Sequence, residues 1–312
     1  MVFVGKIAYL TVFPGMLFIF LAGLAAHAVA SGVRTAISGS ELPGAGIGHE
    51  RFSVVAGTEC IVTGGSFQAV MWVAPVLKIL ALSWVSCIIL GFLKGDLALL
   101  YALLLMAGAT DVFAVFLSQN PRVCQTAWPE AASLLAWAIP FATALAALVL
   151  RTGEVSVSGL IRWQVANGVL AGASAGGAAA RAGALLALAS ATAAALALAR
   201  LRPLGRGYKQ GAPGGLLDDV SGPPLAFFAA SESAMLFVVP LVLVALFFAG
   251  PCARWFAVVF WGLKILGVLL LLALIDTVFA RASSTRALVW GAGGAGGLAL
   301  IGLVLTWIGV SA

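Results

Sequence analysis

The chain has 312 residues, of which 62% are hydrophobic and 9% charged, with a formal net charge of +6. A soluble domain carries about 25% charged residues, so this composition excludes one. Apolar runs long enough to cross a bilayer recur along the whole length, and the chain reads as an all-α integral membrane protein with a single transmembrane domain over residues 1–312.

Eight spans are expected, near 7–31, 66–93, 96–117, 131–150, 182–200, 225–249, 255–277 and 287–310. The first has only Lys6 ahead of it and no small-residue cleavage site, so it reads as a retained helix rather than a signal peptide. It contains Pro14 and ends near His27, which reads as a helix-end side chain at the interface rather than a ligand. A Gly- and Ser-rich loop over 32–65 follows, and Glu59 near its end reads from composition as a solvated loop acid.

Charged residues then appear where an apolar span leaves least room for them. The second span carries Lys78 after Ala74-Pro75, and the third carries Asp111. A charge in mid-membrane costs roughly 2.5–3.5 kcal/mol on insertion scales, so both must face protein. The two spans are consecutive and antiparallel, so a Lys78–Asp111 ion pair is possible, either as a structural contact or as part of a proton path. Glu130 opens the fourth span, where the helix dipole favours an acid. Gly168, Gly172 and Gly176 follow at four-residue spacing, the mark of a close-packing helix face, and Gly293 and Gly297 repeat the pattern near the C-terminus.

The loop 201–217 is basic, with Arg202, Arg206 and Lys209, and suits an anionic lipid surface or an acidic partner. Asp218-Asp219-Val220-Ser221-Gly222-Pro223-Pro224 leads into the sixth span, with Ser221 placed as its N-cap and the prolines in the first turn. Glu232 lies about two turns inside that span. The seventh span has Lys264 at its centre and Asp276 at its end, followed by Arg281 and Arg286.

The net positive charge follows membrane topology rather than a basic face for nucleic acid. The odd-numbered loops hold Arg34, Arg51, Arg122, Arg200, Arg202, Arg206, Lys209, Arg281 and Arg286; the N-terminus and even loops hold Lys6, Lys94, Arg151, Arg162 and Arg254. By the positive-inside rule the odd loops are cytoplasmic and both termini lie outside a cell membrane crossed many times. Four cysteines with no C-x-x-C pair, and two histidines, supply no metal or iron–sulfur ligand set. The chain therefore has no catalytic centre or cofactor of its own, and redox chemistry would belong to partner chains.

With these residues in view, the chain resembles the eight-helix membrane subunit shared by energy-converting nickel–iron hydrogenases, formate hydrogenlyases and proton-pumping NADH–quinone oxidoreductase. Asp219-Val220-Ser221-Gly222-Pro223-Pro224-Leu225-Ala226, with Glu232 further in, is similar to the sixth-helix opening of the hydrogenase branch. Glu59 in Thr58-Glu59-Cys60-Ile61-Val62, Ser118 to Pro140 with Glu130, and Lys264 through Asp276-Thr277 to Arg281 match further family segments, so the resemblance covers 58–288. It departs from the family at Ile139, where a second acid stands, and in the loop Arg202 to Tyr208, whose charge is reversed.

The resemblance implies a non-catalytic anchor and ion-coupling subunit of a respiratory complex. Glu59, Glu130, Asp219, Glu232, Lys264 and Asp276 become proton-relay or coupling candidates, and Lys78 with Asp111 a candidate buried pair. Arg202, Arg206, Lys209, Arg281 and Arg286 become contacts for a soluble module. Implied partners are the hydrogenase large and small subunits with their Ni-Fe and Fe-S centres, an iron–sulfur subunit and antiporter-like membrane subunits. The corresponding subunit of an NADH–quinone oxidoreductase is the alternative. An unrelated secondary transporter is a second one, disfavoured by the lack of an internal repeat.

Overall fold

The computed structural model describes residue 11 and residues 14–38, 65–117, 127–169, 177–201, 223–250, 257–279 and 284–311. Among these the fold is all-α and contains no strand. In chain order the helices are α1 (Met16–Ser38), α2 (Gly65–Ile89), α3 (Leu97–Phe116), α4 (Ala127–Thr152), the short α5 (Val157–Asn167), α6 (Gly177–Leu198), α7 (Pro223–Phe247) and α8 (Ala257–Val278). The last span is composite: α9 (Ser284–Leu288), a π-helical segment Val289–Ala295, and α10 (Gly296–Ser311). Eight helices are long and apolar enough to cross a membrane.

The side chains explain how the bundle sorts itself. Apart from Ser231, Glu232 and Ser233, α7 is apolar on every face, and Val238, Val239, Leu241, Val242, Leu243, Val244 and Leu246 are all buried, so it runs through the middle of the bundle. α1, α2 and α8 pack around it. α8 and α10 keep large side chains such as Phe260, Leu263, Leu271, Ile301 and Trp307 exposed, the surface expected to meet lipid.

On the other flank, α6 packs on α4 and α10 through small residues. Apolar side chains gain nothing by leaving lipid for one another, so close backbone approach and dispersion hold such helices together. A Cβ on Gly183 would stand 2.6 Å from the Gly302 carbonyl oxygen, and one on Gly309 would stand 2.4 Å from the Ala180 nitrogen. Of the glycines expected to form close-packing faces, Gly168, Gly293 and Gly297 make no such contact. Gly168 ends α5 at φ 92°, and α6 begins only at Gly177, so Gly168 shares no helix with it; Gly172 and Gly176 lie outside the described residues. Gly293 and Gly297 face open space. Even spacing alone did not say which side of the helix faces protein.

The first span runs past its expected end at 31 to Ser38, the end of α1, which puts His27 in mid-helix rather than at its end; most of the expected opening of that span lies outside the described residues. The polar residues that seemed to end it are absorbed. Ser31 Oγ donates to Ala28 O at 2.8 Å and Thr35 Oγ1 to Ser31 O at 3.0 Å, back-bonds that let hydroxyls stay inside a helix.

At the end of the bundle that carries the even-numbered loops, the chain closes its helix termini carefully. The backbone groups of Leu97 and Val157 bond across to Val155 and Gly95 at 2.9 and 3.2 Å, tying two connections together. Buried Gln164 donates to Ala245 O and Leu246 O at 3.2 and 2.9 Å and accepts from Ala249 N at 2.9 Å. Lys264 Nζ donates to Phe248 O at 2.8 Å. Carbonyls that α7 leaves open at its C-terminus are thus satisfied by α5 and α8.

Candidate functional site, a five-membered charge cluster

Five spans bring a charged side chain to one place, in the half of the bundle nearer the odd-numbered loops. Lys78 of α2 is 1% exposed and donates from Nζ to Asp111 Oδ2 of α3 at 2.7 Å and to Glu232 Oε1 of α7. Glu130, in the first turn of α4, and Arg200, just past the end of α6, complete the group. Three different nitrogens of Arg200 serve three acids: Nη2 lies 2.9 Å from Asp111, Nη1 lies 3.1 Å from Glu130, and Nε lies 3.6 Å from Glu232.

The backbone at Arg200 is held in an unusual state for the purpose. Leu201 N bonds to Leu196 O at 2.8 Å and Arg200 N to Ala197 O at 3.1 Å, the paired closure that ends many helices. The residue at its turning point takes a left-handed conformation, and Arg200 has φ 55°. The same closure ends α2, where Phe92 N bonds to Cys87 O and Gly91, with φ 81°, holds the turning point. Glycine accepts that conformation freely, whereas a side chain there costs of order 1–3 kcal/mol. At α6 the chain accepts that strain and gains a guanidinium among three carboxylates.

Desolvating five charges is costly, and full pairing offsets the cost. Among the described residues the cluster holds three acids and two bases. Asp111 Oδ1 has no hydrogen-bond partner among the described residues. Asp111, Glu130, Ser133 and Arg200 line a cavity of about 20 Å³, room for one water. Beneath it Leu198 and Trp137 separate this space from a second, apolar cavity of about 10 Å³ lined by Leu104, Phe141, Val239, Val242 and Leu243. Trp137 is fixed there by edge-on contacts with Tyr101 and Phe141, ring centroids 6.4 Å apart in each case.

Four residues singled out in the sequence, Lys78, Asp111, Glu130 and Glu232, therefore meet. Asp276 does not join them: its Oδ2 lies 2.6 Å from Arg34 Nη2, joining α8 to α1. Lys264 closes the far end of α7 and shares no network with Glu232. Arg286 sits exposed on α9. Glu59, Asp219, Arg202, Arg206, Lys209 and Arg281 lie outside the described residues, as does Ser221. No group of three His, Cys, Asp or Glu among the described residues could hold a metal.

Arg200 is the member that sequence reasoning missed, since it was counted as a loop charge. A signal was present. Asp111, Glu130 and Glu232 outnumber the mid-span bases Lys78 and Lys264, and Arg200 is the base at the very end of the fifth span.

An all-α membrane bundle with a charge cluster shared among its inner helices is the class that fold and site define. The NADH dehydrogenase family model matches residues 55–307, and the chain belongs to that family. No curated protein sequence matches it. A chain in the structure of the membrane-bound sulfane sulfur reductase (MBS), an archaeal respiratory membrane complex, has the same fold. Its TM-score is 0.78 over 93% of this chain and 97% of that one, at 20% identity.

Proposed function

We propose that this chain is the non-catalytic membrane subunit of a complex I-like respiratory complex of the hydrogenase type. It would anchor a soluble nickel–iron and iron–sulfur module and couple its electron transfer to proton movement. The observation that carries the reading is the buried cluster of Lys78, Asp111, Glu130, Arg200 and Glu232. A bundle that needed only to anchor a partner would gain nothing from burying five ionisable side chains, whereas a proton-coupling subunit needs groups that bind a proton reversibly. Family membership and the shared fold of a respiratory membrane complex support the same reading.

In this proposal the odd-numbered loops face the cytoplasm. Glu59 and Asp219 stand on that side as entry acids, and Arg202, Arg206, Lys209, Arg281 and Arg286 contact the soluble module. Large and small hydrogenase subunits, an iron–sulfur subunit and antiporter-like membrane subunits complete the assembly. A reporter active only in the cytoplasm, fused after Ala312, is expected to stay silent; a strong signal overturns the orientation.

The identity of the soluble module is tested by isolating the complex through a tag on this chain and measuring its metals. Nickel stoichiometric with the chain, alongside iron, is the expected result. Iron without nickel removes the hydrogenase assignment and favours a module of another kind. NADH-oxidising activity in the isolated complex would favour the NADH–quinone alternative.

A further inference from the structure

The fold treats the two carboxylate oxygens of Asp111 differently. Oδ2 receives both cations, Lys78 Nζ at 2.7 Å and Arg200 Nη2 at 2.9 Å. Oδ1 receives no donor from any described residue, although the side chain is only 2% exposed. A buried carboxylate oxygen without a donor keeps its full desolvation penalty, and buried polar atoms in native proteins are met by a protein group or by an ordered water. Protonation does not remove the need, since an O–H on Oδ1 would require an acceptor in the same place.

Asp111 borders the cavity of about 20 Å³, and two helix faces build that space. On α3, Gly108 stands three residues before Asp111; on α4, Ser133 and Leu134 stand four and three residues before Trp137, so each set lies along one side of its helix. A Cβ on Gly108 would stand 2.7 Å from Leu134 Cδ1 and 3.2 Å from Trp137 Cζ2, so any side chain there would push both neighbours into the space beside Asp111. Trp137 Nε1 lies 3.5 Å from the same point. A water needs about 10–15 Å³ and two to four polar partners. The Ser133 hydroxyl both donates and accepts, and the Trp137 indole N–H donates.

We propose that this cavity is a binding site for one water molecule, held by a hydrogen bond to Asp111 Oδ1 and completed by Ser133 and Trp137, with Gly108 leaving the room. The chemistry of the walls selects water over an ion. A cation would meet the Arg200 guanidinium, which lines the same cavity, and Asp111 already holds two cations on Oδ2. An anion would meet the Asp111 carboxylate. A neutral water donates to the acid oxygen and accepts from the indole or the hydroxyl at once. The site stands on the geometry of α3 and α4, so it goes beyond the coupling function proposed above and does not depend on it.

The first test is a density map of the isolated complex at a resolution that shows ordered water. A peak about 2.7–2.8 Å from Asp111 Oδ1, within hydrogen-bond reach of Ser133 Oγ or Trp137 Nε1, is expected. No peak overturns the proposal, and so does a peak at about 2.4 Å ringed by oxygens, the geometry of a bound metal cation. Thermal melting of two variants is the second test. Ser133→Ala leaves the space open, whereas Ser133→Val puts methyl groups into it. A resident water is displaced by the valine, which strips Oδ1 of its donor, so Ser133→Val should melt a few degrees below Ser133→Ala. In a dry cavity the added methyls would fill empty space, and a valine variant melting at or above the alanine variant overturns the proposal. The map is read on the wild-type complex, so it decides even where a variant fails to assemble.

Discussion

Lys78→Met is expected to be the most damaging single substitution in the chain. It removes the cation that lies 2.7 Å from Asp111 and also contacts Glu232, at a position only 1% exposed. Arg200 is left to face three carboxylates alone. Breaking a buried ion pair from one side typically costs 3–5 kcal/mol, because the remaining charge keeps its desolvation penalty without its partner. The yield and thermal midpoint of the detergent-solubilised complex measure the loss. Lys78→Met combined with Asp111→Asn removes one charge of each sign and leaves Arg200 with Glu130 and Glu232. The double variant should therefore be more stable than Lys78→Met alone, a non-additivity of at least about 1 kcal/mol that contacting residues show and distant ones do not. A Lys78→Met complex as stable as the wild type, or strict additivity in the double variant, would mean that the site is solvated and the ion pairs are worth little.

The second large effect is steric. Gly183→Leu places a branched side chain where even a Cβ would stand 2.3 Å from Thr306 Oγ1 and 2.6 Å from the Gly302 carbonyl oxygen. Neither neighbour is the end of a long flexible chain that could swing away, so α6 and α10 must separate. Overpacking of this kind costs typically 1–3 kcal/mol, and here it acts on one of the two helix contacts that hold the last span. The displacement also reaches the charge cluster, because Arg200 is carried on the end of α6. Gly183→Leu is expected to lower both the thermal midpoint and coupled proton uptake. Gly297→Ala, whose Cβ meets nothing within 4 Å, is the control and should leave both unchanged. Equal behaviour of the two variants would show that the α6–α10 contact is plastic.

Much of the architecture was legible because a bilayer leaves a chain few options. Seven of the eight spans lie close to where hydropathy placed them. The exception, α1, continues past its expected end at 31, because hydroxyl back-bonds and the Arg34–Asp276 pair carry the helix into what reads as a Gly- and Ser-rich loop. The site was half legible for a related reason. Lys78, Asp111 and Glu232 stand out as charges in apolar surroundings, and the rule that such charges face protein holds for each of them. Arg200 and Lys264 were misread in opposite directions. Arg200 follows the last apolar residue of its span and looked like a loop charge, but its backbone turns it inward. Lys264 looked deep because it stands at mid-span, yet it serves a helix terminus, Phe248 O, that no periodicity could have revealed. Which way a side chain leaves the end of a helix depends on one dihedral angle, and hydropathy carries no record of it.

The two stacked cavities make the chain a well with a floor. A proton arriving from the odd-loop end finds acids, a serine hydroxyl and space for water; one residue layer further, Trp137 and Leu198 close the shaft, and what lies below is hydrocarbon. Pushing an ion through that floor costs several kcal/mol of lost hydration, with no charged side chain and only the Trp137 indole N–H among the lining side chains to recover it. Reconstituted alone in vesicles, this subunit should behave as an electrical insulator that can be charged and discharged from one side. In the proposed function, the described residues leave a current one way out of the well, sideways into whatever chain stands next to it.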